Sequence, residues 1–207
     1  LLSRGLGDVY KRQVIEQEVV DRKVIQLHRK YILSHIKSGF IIIDQQRAHE
    51  RVLIEKLSTD LASANHNSQQ LLFPEELEFS AEDFELILSL MEELRSIGFD
   101  LNQFGKKAII VNGIPSGTNE NAKSLIETML EEFKINLSEL KNKPKINLVN
   151  SLAKSMSLKS GKSLNENEMQ HLIDQLFACE MPYNLPNGKP IIINYSMEDL
   201  DKKFKRR

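Results

Sequence analysis

Cysteine occurs once in the 207 residues, tryptophan is missing, and aromatic residues make up only 6%. A single Cys excludes an intramolecular disulfide framework and any four-thiolate zinc site. Charge of one sign is not in excess either. With 28 Lys and Arg against 29 Asp and Glu, the balance of −1 gives no global electrostatic reason to bind nucleic acid. Apolar runs stop at about four residues, as in the FIII of residues 40–43, too short for a segment that spans a bilayer. What remains is 41% hydrophobic residues. That is too many for a disordered chain, and suits one ordinary domain or two small ones.

The chain does not begin with Met, and it reads as the C-terminal part of something longer. Residues 1–13 (LLSRGLGDVYKRQ) lack apolar periodicity. Their tail looks like a translated sequencing-adaptor scar, with an ordinary linker as the alternative, and neither is expected to belong to the fold. From 24 to 36 the pattern is strand-like, and Lys37, Ser38 and Gly39 read as a tight turn into a second, buried strand. A charged helix is expected from Arg47 to about Asp60, then a polar loop over 61–68 and an extended stretch around Pro74. Three later helices share a start signal: Ser80 with Asp83, Asn165 with Glu168, and Ser196 with Asp199 each set an N-cap residue three positions before an acid. Core stripes follow, with Phe84, Ile87, Leu88, Met91 and Leu94 in one helix and Met169, Leu172, Ile173 and Leu176 in another. A short strand over 108–111 is expected to end at an Asn112–Gly113 turn. A helix is expected over 147–159, and a last strand over 191–193 after the Asn187–Gly188 turn.

The neutral total hides a division. Residues 75–100 carry nine acids and one base, while residues 139–162 carry one acid and six lysines. This reads as an α+β chain with an insertion: 14–68 and 144–207 form one subdomain, and 69–143 a second, external one.

Three stretches carry a family resemblance. Residues 26–57 (QLHRKYILSHIKSGFIIIDQQRAHERVLIEKL) are similar to the opening of the C-terminal dimerisation domain of the mismatch-repair family MutL. ACEMPYNLPNGKPIII (178–193) resembles its closing strand region, and FKR (204–206) its terminal F-x-R. The resemblance implies an α/β-sandwich dimerisation subdomain with an inserted regulatory one. In many members this domain is a metal-dependent endonuclease. The family pattern D-Q-H-A-x-x-E-x-x-x-x-E falls on Asp44, Gln45, Gln46, Arg47, Glu50 and Glu55, so the acids stay while the His and Ala are replaced. Lys154 stands where the pattern A-C-[HKR]-x-A-[IV]-K has its Cys. Leu185 and Asn187 replace the Cys and His of C-P-H-G-R-P. Zinc takes thiolate, imidazole or carboxylate donors, so a Lys ammonium and a Leu cannot serve. Two carboxylates could still hold a weakly bound Mg or Mn ion. His49 reads as a helix-surface residue before a ligand, and Cys179 as a small buried hydrophobe before a nucleophile.

One motif of the resemblance is intact. Gln69, Leu72, Phe73 and Pro74 fit Q-x-x-L-Φ-P, a sliding-clamp-binding peptide, with Leu and Phe as apolar anchors. A strand edge with those side chains in the core is the plain alternative. The expectation is thus a homodimeric, non-catalytic platform of a bacterial, cytoplasmic, nucleoid-associated repair protein. Its partners would be a sliding clamp, a MutS-like mismatch-recognition protein and the DNA backbone, with no membrane. No cofactor is expected in this fragment, ATP and Mg belonging to an upstream region. Lys154, Lys159, Lys205 and Arg206 are the candidate backbone contacts, with solvated helix faces as the alternative. The competing readings are a nicking endonuclease with substituted ligands and an unrelated α+β interaction module.

Overall fold

Two residues in the left-handed conformation split the first apolar stretch. Strand β1 (Val24–Leu27) and strand β2 (Tyr31–Ile36) pair antiparallel, with Leu27 opposite Tyr31. Between them His28 and Arg29 have φ of 50° and 52°, and the Lys30 N–H donates to the Leu27 carbonyl at 3.0 Å. The sequence reads as one strand over 24–36 because no Gly or Asn marks this turn; the structure makes it a hairpin. The computed structural model describes residues 23–63, 68–118, 120–140 and 143–206. The readings of residues 1–13, Lys141, Arg207 and part of the 61–68 loop lie outside them. The described residues divide into two compact units with limits after Val52 and Ser157: 23–52 with 158–206, and 53–157.

In the first unit, β3 (Gly39–Asp44) pairs with β2, and β7 (Ile192–Ser196) pairs with β3, giving an antiparallel sheet of order β1-β2-β3-β7. Gly39 is required by close approach: a Cβ there would lie 2.1 Å from the Tyr195 carbonyl oxygen. Alternation sorts the two faces. Ile32, Ser34 and Ile36 of β2 and Ile41 and Ile43 of β3 are buried on one side. Helix α6 (Glu166–Ala178) packs on β1 and buries Met169, Leu172, Ile173 and Leu176. Asn165 caps it with a reciprocal capping box to Glu168, as its sequence predicts. The short α7 (Met197–Lys203) follows β7 with a second capping box, Ser196 with Asp199, and buries none of its residues. Helix α1 (Gln45–Ser63) follows β3 directly and continues past the expected end near Asp60.

The second unit is built on a three-stranded antiparallel sheet of order β4-β6-β5, from β4 (Ser68–Glu78), β5 (Asp100–Phe104) and β6 (Ala108–Pro115). The Asn112–Gly113 pair does not turn the chain. It lies inside β6, where Gly113 lets β4 come close: a Cβ there would meet the Ser68 Oγ at 2.5 Å. The turn is instead at Gly105 (φ 64°), between β5 and β6. The helical stretch after Ser80 is broken at Leu90 into α2 (Ala81–Ser89) and α3 (Met91–Ser96). Ser80 caps α2 by accepting from the Asp83 N–H. Helix α4 (Ala122–Leu140) packs on the sheet and against α5 (Pro144–Met156), which ends earlier than the sequence suggests. Leu125, Met129, Leu148 and Leu152 are fully buried. So is Asn147, whose amide donates to the Phe133 carbonyl at 2.9 Å. Asp83 pairs with Lys134, and that contact holds its carboxyl below the usual aspartate range.

Candidate functional site

Asp44 is both the last residue of β3 and the cap of α1. Its Oδ1 accepts from the N–H groups of Gln46 and Arg47, each at 3.1 Å, satisfying two of the donors that every helix start leaves open. Its Oδ2 lies 3.5 Å from the Arg47 Nε. Both carboxylate oxygens therefore have partners, and the paired cation, Arg47, is a side chain of the same helix turn.

Arg47 also ties in a second stretch. Its Nη1 donates to the Pro190 carbonyl at 2.7 Å, while the Asp44 N–H donates to Ile191 at 3.0 Å. The loop that ends there is closed by the Leu185 N–H donating to the Lys189 carbonyl and by Gly188 (φ 78°) donating to Leu185. The structure thus brings Asp44 and the loop containing Leu185 and Asn187 together at one end of the first sheet. Leu185 is buried, 5% exposed, and Asn187 Oδ1 accepts from the Lys189 N–H at 3.2 Å. These residues do not fit a zinc ion. One carboxylate already caps a helix and faces Arg47, one position is a buried hydrocarbon, and one amide is held in its own turn. Among the described residues no group of three or more His, Cys, Asp or Glu is arranged to hold a metal ion. Glu50 and Glu55 lie part-buried along α1, and both have polar partners. His49 accepts the Leu158 N–H on Nδ1 at 3.1 Å. Cys179 is buried at the C-cap of α6. In the second unit, Lys154 pairs with Glu132 at 2.6 Å.

Gln45, the second residue of the family-like motif, has a role that residue type alone did not reveal. It is fully buried. Its Nε2 donates to the carbonyls of Arg29 at 2.9 Å and Lys162 at 3.0 Å, and its Oε1 accepts from Gln26 Nε2 at 2.7 Å. Gln26 in turn donates to the Lys162 carbonyl and accepts from the Leu164 N–H. Two amides thereby fasten the β1–β2 turn and the loop after Ser157 to the start of α1. A Gln between a buried strand and a charged helix was the available signal, but its partner Gln26 could be named only in three dimensions.

In the second unit the QQLLFP stretch has an unusual register. Gln70 pairs with Gly113 and Glu75 with Val111, so Leu71, Leu72, Phe73 and Pro74 all stand against the single Asn112. A ladder cannot absorb that many extra residues, and the strand bows out as an enlarged bulge. Leu72 is 94% exposed and Phe73 82%. Gln69 and Gln70 stay paired on the strand, and Gln70 Nε2 lies 3.5 Å from Asp100 Oδ2.

The outer face of the first sheet is apolar as well. Register places Ile25, Leu33, Ile42 and Ile193 side by side across all four strands, with Phe40 and Tyr195 stacked at 5.3 Å. Ile25 and Ile193 are half exposed, and Met197 of α7 lies just beyond. At the end of α7, Lys205 adopts a left-handed φ of 53° and Arg206 lies over the Phe204 ring at 5.6 Å. No helix among the described residues is long and apolar enough to cross a membrane.

Comparison with known proteins adds a family match and close relatives. The family described as "MutL C terminal dimerisation domain" matches residues 24–164. The DNA mismatch repair protein MutL of Chloroherpeton thalassium (strain ATCC 35110 / GB-78) is 42% identical over 187 residues, covering 90% of this chain and 29% of its own length. That of Pelodictyon phaeoclathratiforme (strain DSM 5477 / BU-1) is 39% identical over 210 residues, covering 100% of this chain and 33% of its own. That of Chlorobium phaeobacteroides (strain DSM 266 / SMG 266 / 2430) is 41% identical over 189 residues, 90% of this chain and 30% of its own. The chain spans about a third of the length of the curated relatives it matches.

Proposed function

The chain belongs to the MutL C-terminal dimerisation domain family, and on that premise we propose that it is a non-catalytic dimerisation platform of DNA mismatch repair. The observation that carries this reading is the outer face of the four-stranded sheet. Ile25, Leu33, Ile42 and Ile193 form a continuous apolar surface, where a solvated antiparallel sheet would alternate to polar residues. A second copy of the chain is the occupant, since a two-fold axis lets the same patch serve both partners.

Two further features give the platform its character. The exposed Leu72 and Phe73 suit a peptide that a sliding clamp recognises, two apolar anchors presented clear of the sheet. The Asp44 carboxylate, already paired with Arg47, supports a role without strand cleavage of its own. The platform would hold two upstream ATPase regions together and couple a MutS-like recognition protein to downstream processing. A cytoplasmic place at the nucleoid goes with that role.

Sedimentation at micromolar concentration tests the central point. The expected species has twice the 23.8 kDa chain mass, and Ile42→Asp with Ile193→Asp converts it to a folded monomer. A wild-type monomer would overturn the reading.

A further inference from the structure

We propose that Asp100 is a positioning residue for the segment that carries Leu72 and Phe73: its carboxylate clasps Gln70 and Asn112 across Gly113 and so presets that segment for its partner. The sliding clamp as that partner rests on the proposed function; the clasp itself rests on geometry.

Two irregularities meet at one residue. The β4–β6 ladder skips from Gln70 opposite Gly113 to Glu75 opposite Val111, and the β5–β6 ladder skips from Asp100 opposite Gly113 to Leu101 opposite Val111. Asn112 therefore has no register partner on either neighbouring strand, and Gly113 is the last common rung before the gap. On that rung Gln70, Gly113 and Asp100 stand in line across the sheet. A side chain in the middle would keep the outer two apart: a Cβ on Gly113 would lie 3.2 Å from the Gln70 Nε2. Glycine leaves that passage open, and the Gln70 Nε2 reaches Asp100 Oδ2 at 3.5 Å. The other oxygen, Oδ1, accepts from Asn112 Nδ2 at 3.4 Å. One carboxylate thus holds both the last ladder residue of β4 and the unpaired residue of β6.

That hold matters because the segment has slack. From Gln70 to Glu75 the chain could extend over roughly 17 Å, while Gly113 to Val111 spans roughly 7 Å. The surplus has to arch, and the ladder alone does not set the direction in which it leaves the sheet. Gln70 is the residue from which the arch springs, so fixing its side chain fixes that departure. Both bonds end on a carboxylate, the stronger class of acceptor. Leu72 and Phe73 are then anchors held out on a preset arch, and ordering them on binding costs less than it would on a slack loop.

The test compares the full chain with Gln70→Ala, Asp100→Ala and both together. Affinity for a bacterial sliding clamp is read by calorimetry, and amide hydrogen exchange is read at Leu71, Leu72 and Phe73. Each single variant is expected to bind about fivefold more weakly, the scale of one side chain's ordering cost, and to exchange faster at those amides. The double variant is expected to lose no more than Asp100→Ala alone, because both residues act through one bond. The exchanged pair Gln70→Asp with Asp100→Gln restores a carboxylate and an amide across Gly113 and is expected to recover part of the affinity. A general loosening would instead speed exchange along β6 as well, and that result overturns the positioning role. Unchanged values in both single variants, or losses that add in the double, also overturn it. Gln70 is exposed, so its variant decides the matter should Asp100→Ala misfold. A wild-type chain without clamp affinity sinks the clamp reading alone; hydrogen exchange in the same variants still decides the clasp.

Discussion

Gln26 and Gln45, nineteen residues apart, share a hydrogen bond of 2.7 Å, and together they hold the Lys162 carbonyl. The pair links β1, the start of α1 and the loop after Ser157 through hydrogen bonds. A motif position that looks catalytic by its neighbours is here a structural fastening.

Replacing Gln45 by Ala is therefore expected to destabilise the chain strongly. The carbonyls of Arg29 and Lys162 each lose one of two donors, Gly161 N–H and Gln26 Nε2 remaining, and Gln26 loses its acceptor, so three hydrogen bonds go at about 1 kcal/mol each. A loss of about 3 kcal/mol is expected from urea denaturation midpoints. Met in place of Gln fills the space without the hydrogen bonds and should be nearly as damaging. A variant within about 0.5 kcal/mol of wild type would show that the network does not hold the fold.

Leu72 and Phe73 predict the opposite behaviour. Their exposure means that Leu72→Ala with Phe73→Ala should move stability by no more than about 0.5 kcal/mol. Affinity for a bacterial sliding clamp, followed by calorimetry, should fall at least about tenfold, since a lost apolar anchor is commonly worth more than 1 kcal/mol. Equal affinity in the variant would assign these side chains some other purpose.

The Asp44–Arg47 pair gives a third expectation. Supercoiled plasmid incubated with the chain and manganese should remain intact. Arg47→Ala with Gln46→His frees one carboxylate oxygen and supplies an imidazole, so Mn binding by calorimetry should rise above that of wild type. Nicking by the wild-type chain, lost in Asp44→Asn, would contradict the assignment of Arg47 as the carboxylate's counter-ion.

Local signals carried the sequence reading further than tertiary ones. Ser80, Asn165 and Ser196 were legible as caps because the cap and its acid lie three residues apart on one turn. The β1–β2 turn was not legible, because Arg29, left-handed together with His28, is fastened by bonds from Gln45 and Gly161, far away in sequence. Asn112–Gly113 misled for the same reason: Gly113 answers to the approach of Ser68 on another strand, not to a turn. At the candidate site, the absence of donor chemistry at Leu185 could be read from residue type alone. That Arg47 would reach both Asp44 and Pro190 could not.

The register of β4 has a consequence for how this chain could change over time. Gln70 and Glu75 fix the ladder on either side, so the four residues between them contribute little to it. Lengthening such a segment is cheap, since each doubling of a flexible loop costs only about 0.6 kcal/mol. Its spelling can drift, or be exchanged for another short peptide, while the sheet beneath keeps its pairing. The segment behaves as a replaceable label on a fixed mount, and choice of partner can evolve there independently of the fold.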